Sequence, residues 1–85
     1  MVIYVLRNKC DTNKLGVTTI KNYGNSVQRN RIRRLIKENY RHLENEIVAK
    51  GWDIVLSARK TERMPEYKEI QKEMKYLLRR TGLLE

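Results

Sequence analysis

Gly24-Asn25-Ser26-Val27-Gln28-Arg29-Asn30-Arg31-Ile32-Arg33-Arg34-Leu35-Ile36 is the stretch on which the fold turns. Gly24 permits a tight turn. Asn25 is a strong helix N-cap, and Gln28, three residues later, completes a capping box. Downstream, Ile32, Leu35, Ile36, Tyr40, Leu43 and Ile47 repeat at the three- and four-residue spacing of one helical face. Gly51 ends the segment. At about 100° per residue, Asn30, Arg33, Arg34, Lys37 and Arg41 gather on the opposite third of the wheel. A long helix is therefore expected, packed on a sheet by one side and basic on the other.

Working outward, two apolar segments precede this helix and one follows it. Val2-Ile3-Tyr4-Val5-Leu6 and Leu15-Gly16-Val17-Thr18-Thr19-Ile20 are β-branched and aromatic, as strands are. The short polar connection, with Asn8, Asp11 and Asn13, suggests an antiparallel hairpin between them. The composition of Val2 to Leu6 suggests a buried strand. Trp52 to Ala58 reads as a third, mostly buried strand. A second helix is expected from about Pro65 to Arg80, with Pro65 in its first turn. Its apolar face is Tyr67, Ile70, Met74, Leu77 and Leu78, and Gly82 suits the position after its C-cap. The order β-β-α-β-α describes an α+β two-layer sandwich, with helices on a small mixed sheet. Eighty-five residues make a single domain, with no repeat or linker.

Charge points to the partner. Nineteen Lys and Arg face ten Asp and Glu, a net of +9. Residues 1–41 hold ten of the bases and two of the acids, so the excess is a patch. Solvated surfaces usually mix signs, whereas a patch of this kind predicts a polyanion. Seven bases and one acid lie between Lys21 and Arg41. This cluster begins at a helix N-terminus, where free N–H groups and the helix dipole favour phosphate. Arginine, with its planar fork, dominates the cluster. The pattern fits a helix that meets a folded nucleic acid.

Other chemistries lack their residues. No apolar run approaches the roughly 20 residues of a membrane-spanning helix. One cysteine, Cys10, excludes an internal disulfide framework and makes a cytoplasmic location the default. His42 stands alone without a positioned partner for acid–base work. A single Cys and a single His do not make a zinc site without further ligands. Tyr40 and Tyr67 fit the core, and Tyr23 beside the glycine turn is a candidate stacking group. No catalytic residue and no metal ligand is expected in the protein.

Gly16-Val17, Lys21, Gly24-Asn25, Val27, Arg29 to Arg34 and Leu35-Ile36-Lys37-Glu38 together resemble the signature of the bacterial ribonuclease P protein subunit. Asp53-Ile54-Val55 with Ala58-Arg59, and the closing Leu77-Leu78 with Gly82-Leu83-Leu84, resemble later parts of that family. Asn22 and Ile20 depart from it, standing where a lysine and a small polar residue are usual. The resemblance implies the ribosomal protein S5 domain 2-like fold, with a left-handed β-α-β crossover around the Arg-Asn-Arg helix. It implies a chain that binds the catalytic ribonuclease P RNA and the 5′ leader of precursor tRNA. Such a chain assists removal of the leader by a ribonucleoprotein endoribonuclease. In that family the RNA subunit carries the hydrolysis, and magnesium is held through RNA and substrate. No cofactor is implied for the protein alone, and no membrane or DNA partner. Lys21, Asn25, Arg29, Asn30, Arg31, Arg33, Arg34 and Lys37 are the RNA-contact candidates by motif. The family usually has a helix and a short strand before the segment matching Val2 to Leu6, so an amino-terminally truncated member is expected. The alternative reading is a ribosomal or other structured-RNA-binding protein or RNA chaperone without a nuclease partner. A DNA-binding helix-turn-helix is disfavoured, because a strand and a turn, not a short helix, precede the basic helix.

Overall fold

The structure, a computed structural model, describes residues 1–20, 23–59 and 63–84. Strands β1 (Val2–Arg7) and β2 (Lys14–Thr19) come first. Helix α1 (Ser26–Leu43) follows, with a single 3-10 turn at Glu44–Glu46. Strand β3 (Trp52–Ala58) and helix α2 (Tyr67–Arg80) complete the chain. The helices pack on one face of a three-stranded sheet, giving the two layers expected.

The expected hairpin does not form. The strand order is β1-β3-β2, with β3 antiparallel to β1 and parallel to β2. Two asparagines account for this. Asn8 donates from its backbone to Gly51 O at 2.8 Å and from Nδ2 to Asp53 Oδ1 at 2.9 Å. Asn13 Nδ2 donates to Ala49 O at 2.8 Å, while its Oδ1 accepts from Trp52 N–H at 2.9 Å. The connection between β1 and β2 is thus bonded to the lead-in and start of β3, besides its internal bonds from Asn8 Nδ2 to Thr12 O and from Cys10 N–H to Asn8 Oδ1. Skipping one strand needs roughly 10 Å, well within reach of a six-residue connection. The most buried strand, β3, takes the centre. Val5, Ile54 and Leu15 stand in register on the helix side, as do Ile3, Leu56 and Val17 one pair further along.

The core lies between the sheet and the helices. Ile32, Ile36 and Leu43 of α1 meet Ile54 and Leu56 of β3 and Ile70, Met74 and Leu78 of α2, all buried. Each such side chain contributes about 1.5–3 kcal/mol of burial. With helices on one face only, alternate strand residues face outward. Tyr4 and Leu6 are 59% and 66% exposed, so β1 is half-buried rather than buried.

Each helix departs from expectation at one end. α1 stops at Leu43, short of Ile47, where Glu44 and Glu46 would set negative charge against the helix C-terminus. Ile47 still joins the core margin, through a bridge to Leu84. α2 begins at Tyr67 with Glu66 as N-cap, so Pro65 precedes the helix instead of opening it. Its far end follows the expectation. Gly82, at φ +83°, donates to Arg79 O, and Leu83 N–H donates to Leu78 O at 3.0 Å, a Schellman closure.

Candidate nucleic-acid interface

The start of α1 is built by polar side chains turned back on the backbone. Asn25 Oδ1 accepts from Gln28 N–H at 2.9 Å, and Gln28 Oε1 accepts from Asn25 N–H at 3.1 Å. Gly24 has φ +130°, and a Cβ there would lie 2.2 Å from Gln28 Oε1. Arg29 Nη1 donates to Gly24 O, tying the helix side to the turn. Tyr23 is buried, with its hydroxyl 3.7 Å from Met64 Sδ. It anchors the turn to the segment before α2, so it is not the exposed stacking group considered from the sequence.

Beyond this turn α1 presents its cations outward. Asn30, Arg31, Arg34 and Lys37 are exposed, and Arg41 continues the line. α1 holds six bases against the single acid Glu38, and its first turn contains no acid. Val27, Asn30, Arg31, Arg34 and Leu35 line a depression of about 500 Å³ on this face. Val27 is 73% exposed there. An apolar side chain among arginines gives this face a non-polar patch beside its cations. Val27 was visible in the sequence as an apolar residue on the polar side of the wheel, and its place in this depression was not anticipated.

Arg33 departs from its expected place. It is half-buried, and its Nε is buried without a hydrogen-bond partner. Its position on the wheel is the flank between Tyr40 and Lys37, where the margin of the core begins. Arg29 is likewise half-buried. The eight candidates therefore divide. Asn30, Arg31, Arg34 and Lys37 form one exposed surface, Asn25 and Arg29 build the turn, and Arg33 sits at the boundary. Lys21 lies outside the described residues.

A second surface lies on the far side of the molecule, the open face of the sheet. Tyr4 stands in register with Val55 and Gly16, and Leu6 with Asp53 and Lys14. Tyr4, Leu6 and the half-buried Val2 and Val55 make an apolar strip with Lys14 at its margin. On the other face, Arg7 lies 5.5 Å from the Trp52 ring centroid, a cation–π contact in the pair that continues the helix-side row of Val5 and Ile54. The open face was hidden in the sequence because residues 2–6 read as uniformly apolar.

His42 and Cys10 lie apart from both surfaces. His42 is exposed and meets Tyr67 edge to face at 6.1 Å. Cys10 is an exposed free thiol. Among the described residues there is no group of three or more His, Cys, Asp or Glu placed to hold a metal ion. No helix of the described residues is long and apolar enough to cross a membrane.

The family described as Ribonuclease P matches residues 1–82. The chain belongs to the ribonuclease P protein family. It is 42% identical over 83 residues to the ribonuclease P protein component of Clostridium botulinum (strain Langeland), covering 98% of this chain and 75% of that one. The component from Clostridioides difficile (strain 630) is also 42% identical over 83 residues, covering 98% and 73%. The solved structure of the Staphylococcus aureus RNase P protein superposes with a TM-score of 0.82 at 30% identity, covering 98% of this chain and 75% of that one. Membership in the ribonuclease P family carries a role in tRNA processing, as protein component of a ribonucleoprotein endoribonuclease.

Proposed function

We propose that α1 docks on the ribonuclease P RNA through Asn30, Arg31, Arg34 and Lys37, and that the open face of the sheet receives the 5′ leader of precursor tRNA. The observation that carries the reading is the single exposed arginine line on α1, starting at a capped N-terminus, in a chain of this family. Phosphates meet the guanidinium forks there, and the helix dipole adds to the attraction. The sheet face suits a single strand for a different reason. Its groups are apolar and aromatic, and Tyr4 offers a ring for stacking on an unpaired base.

On this reading the protein supplies binding and orientation, and no side chain takes part in bond cleavage. Hydrolysis belongs to the RNA subunit, with magnesium held by RNA and substrate phosphates. The protein works without a cofactor of its own, in the cytoplasm, with neither membrane nor DNA as partner. Its cations screen the repulsion between two polyanions that must lie side by side.

The experiment is a cleavage assay with ribonuclease P RNA, this chain and precursor tRNAs that differ only in leader length. Tyr4→Ala should weaken binding of a long-leader precursor about 5- to 50-fold, as loss of one base stack does. It should leave affinity for the RNA subunit unchanged. Equal preference for long and short leaders in the unmodified complex would overturn the assignment of the sheet face.

A further inference from the structure

The carboxyl-terminal half of the chain looks electrically balanced in sequence, but α2 separates its charges in space. At about 100° per residue, Lys68, Lys72, Lys75 and Arg79 fall on one strip of the helix roughly 60° wide. Glu66, Glu69 and Glu73 fall on another strip, toward β1. Glu69 bonds Arg63 at 2.9 Å, and Glu73 bonds the Met1 amino group at 2.7 Å. Lys68 and Lys72 are exposed and Lys75 is half-buried. None of these three lysines has an ion-pair partner among the described residues.

The spacing of this row is costly on its own. Lys68 to Lys72 is four residues and Lys72 to Lys75 three. Like charges at these intervals repel one another on a helix. A face that serves only solubility avoids the cost by mixing signs, and the acids needed for mixing are present on the same helix. A polyanion laid along the row reverses the sign of every one of these terms. Tyr76, 60% exposed, stands beside the row, an aromatic flanking cations as in surfaces that hold unpaired nucleotides.

The row also has a defined place beside α1. Asn39 Nδ2 of α1 donates to Tyr67 O of α2 at 3.2 Å, and His42 meets the Tyr67 ring. The helices are therefore neighbours in one layer, with axes about 10 Å apart as packed helices are, and their solvent faces lie side by side. Lys68 to Lys75 spans about 10 Å along α2.

We propose that the solvent face of α2, Lys68, Lys72 and Lys75 with Tyr76 at its flank, is a second RNA-contact surface, which widens the α1 interface to both helices. It rests on the reading of α1 only in taking RNA as the polyanion.

The test uses the whole chain and ribonuclease P RNA of Clostridium botulinum, with affinity measured across a salt series. Three variants are compared: K68Q/K72Q/K75Q, K68R/K72R/K75R and, on α1, R31Q/R34Q. Removing three backbone contacts should reduce the slope of log K against log salt by about two units and weaken binding roughly 10- to 100-fold at 0.1 M salt. The arginine triple variant should retain both slope and affinity. Melting of the glutamine triple variant should stay level or rise, since the repulsion is relieved. Affinity within twofold of the parent, with the slope unchanged, overturns the proposal. So does an equal loss in the glutamine and arginine variants, which would make the lysines packing groups. Loss in R31Q/R34Q alone would leave the reading of α1 standing and this proposal overturned. Loss in the α2 variant alone would do the reverse.

Discussion

The two parts of α1 use the same kinds of side chain for opposite purposes. From Gly24 to Arg29, polar groups are satisfied inside the protein. Asn25 and Gln28 bond each other's backbone, and Arg29 bonds Gly24 O. From Asn30 to Lys37, exposed polar groups of similar chemistry lack internal partners among the described residues. On the proposed reading, the basic motif is two devices in series. The first fixes where the helix begins and how it is rotated. The second relies on that rotation to aim its cations at a partner.

The strongest way to break this comparison is at the second device. Arg31→Gln with Arg34→Gln should weaken binding of ribonuclease P RNA by about 1.5–3 kcal/mol per lost charged contact. Thermal melting should shift by no more than about 0.5 kcal/mol, because both residues are exposed. Filter binding and a melting curve on the same preparation separate the two effects. A large loss of melting temperature with intact binding would place these arginines among the structural groups. Arg33 sharpens the boundary between the classes, since its half-buried stem and buried Nε link it to both.

The first device should respond the other way round. Asn25→Ala removes the cap and leaves Gln28 N–H without its acceptor. The expected cost is about 1 kcal/mol of stability. Well below the melting temperature, RNA affinity should change less than in R31Q/R34Q, because the outward cations are untouched. If Asn25→Ala instead matched R31Q/R34Q in lost affinity at unchanged stability, Asn25 would be an RNA contact rather than a cap.

Much of this arrangement was legible in the sequence, and the parts that were not share a cause. The capping box, the apolar stripe of α1 as far as Leu43 and the span of β3 depend on neighbours within a few residues, and each was found where expected. The strand order was missed because Asn8 and Asn13 find their partners beyond residue 48, and no local rule anticipates those bonds. Asn39 is the same lesson in a helix. It is fully buried and joins α1 to Tyr67 O, yet in sequence it is one more polar residue between Glu38 and Tyr40. The place of Arg33 depended on how far the core margin reaches around α1, which a helical wheel does not contain. The exposed sides of Tyr4 and Leu6 depended on which face the helices cover.

The smallest expected effect concerns the margin of α1 opposite α2, where Tyr40 is buried and its hydroxyl has no hydrogen-bond partner. Burial raises its pKa above the ordinary 10.0, and the carboxylate of Glu44 adds to the rise. A raised value means that the folded state favours the neutral phenol more than the unfolded chain does. The resulting stabilisation is complete below 10.0 and is lost as pH rises through the ordinary value toward the folded one. Tyr40→Phe has no phenol to ionise, so its melting temperature should decline less steeply than the parent's on the alkaline side. Tyr23, also raised by burial, remains in both proteins and keeps some of the decline. At neutral pH the variant should melt within about 1 kcal/mol of the parent, because the hydroxyl removed was unpaired and its shape nearly conserved. RNA binding should be unaffected, since Tyr40 lies on the buried side of the helix that carries the exposed arginines. Melting curves for the two proteins that run parallel from neutral to alkaline pH would show that Tyr40 does not resist ionisation in the fold.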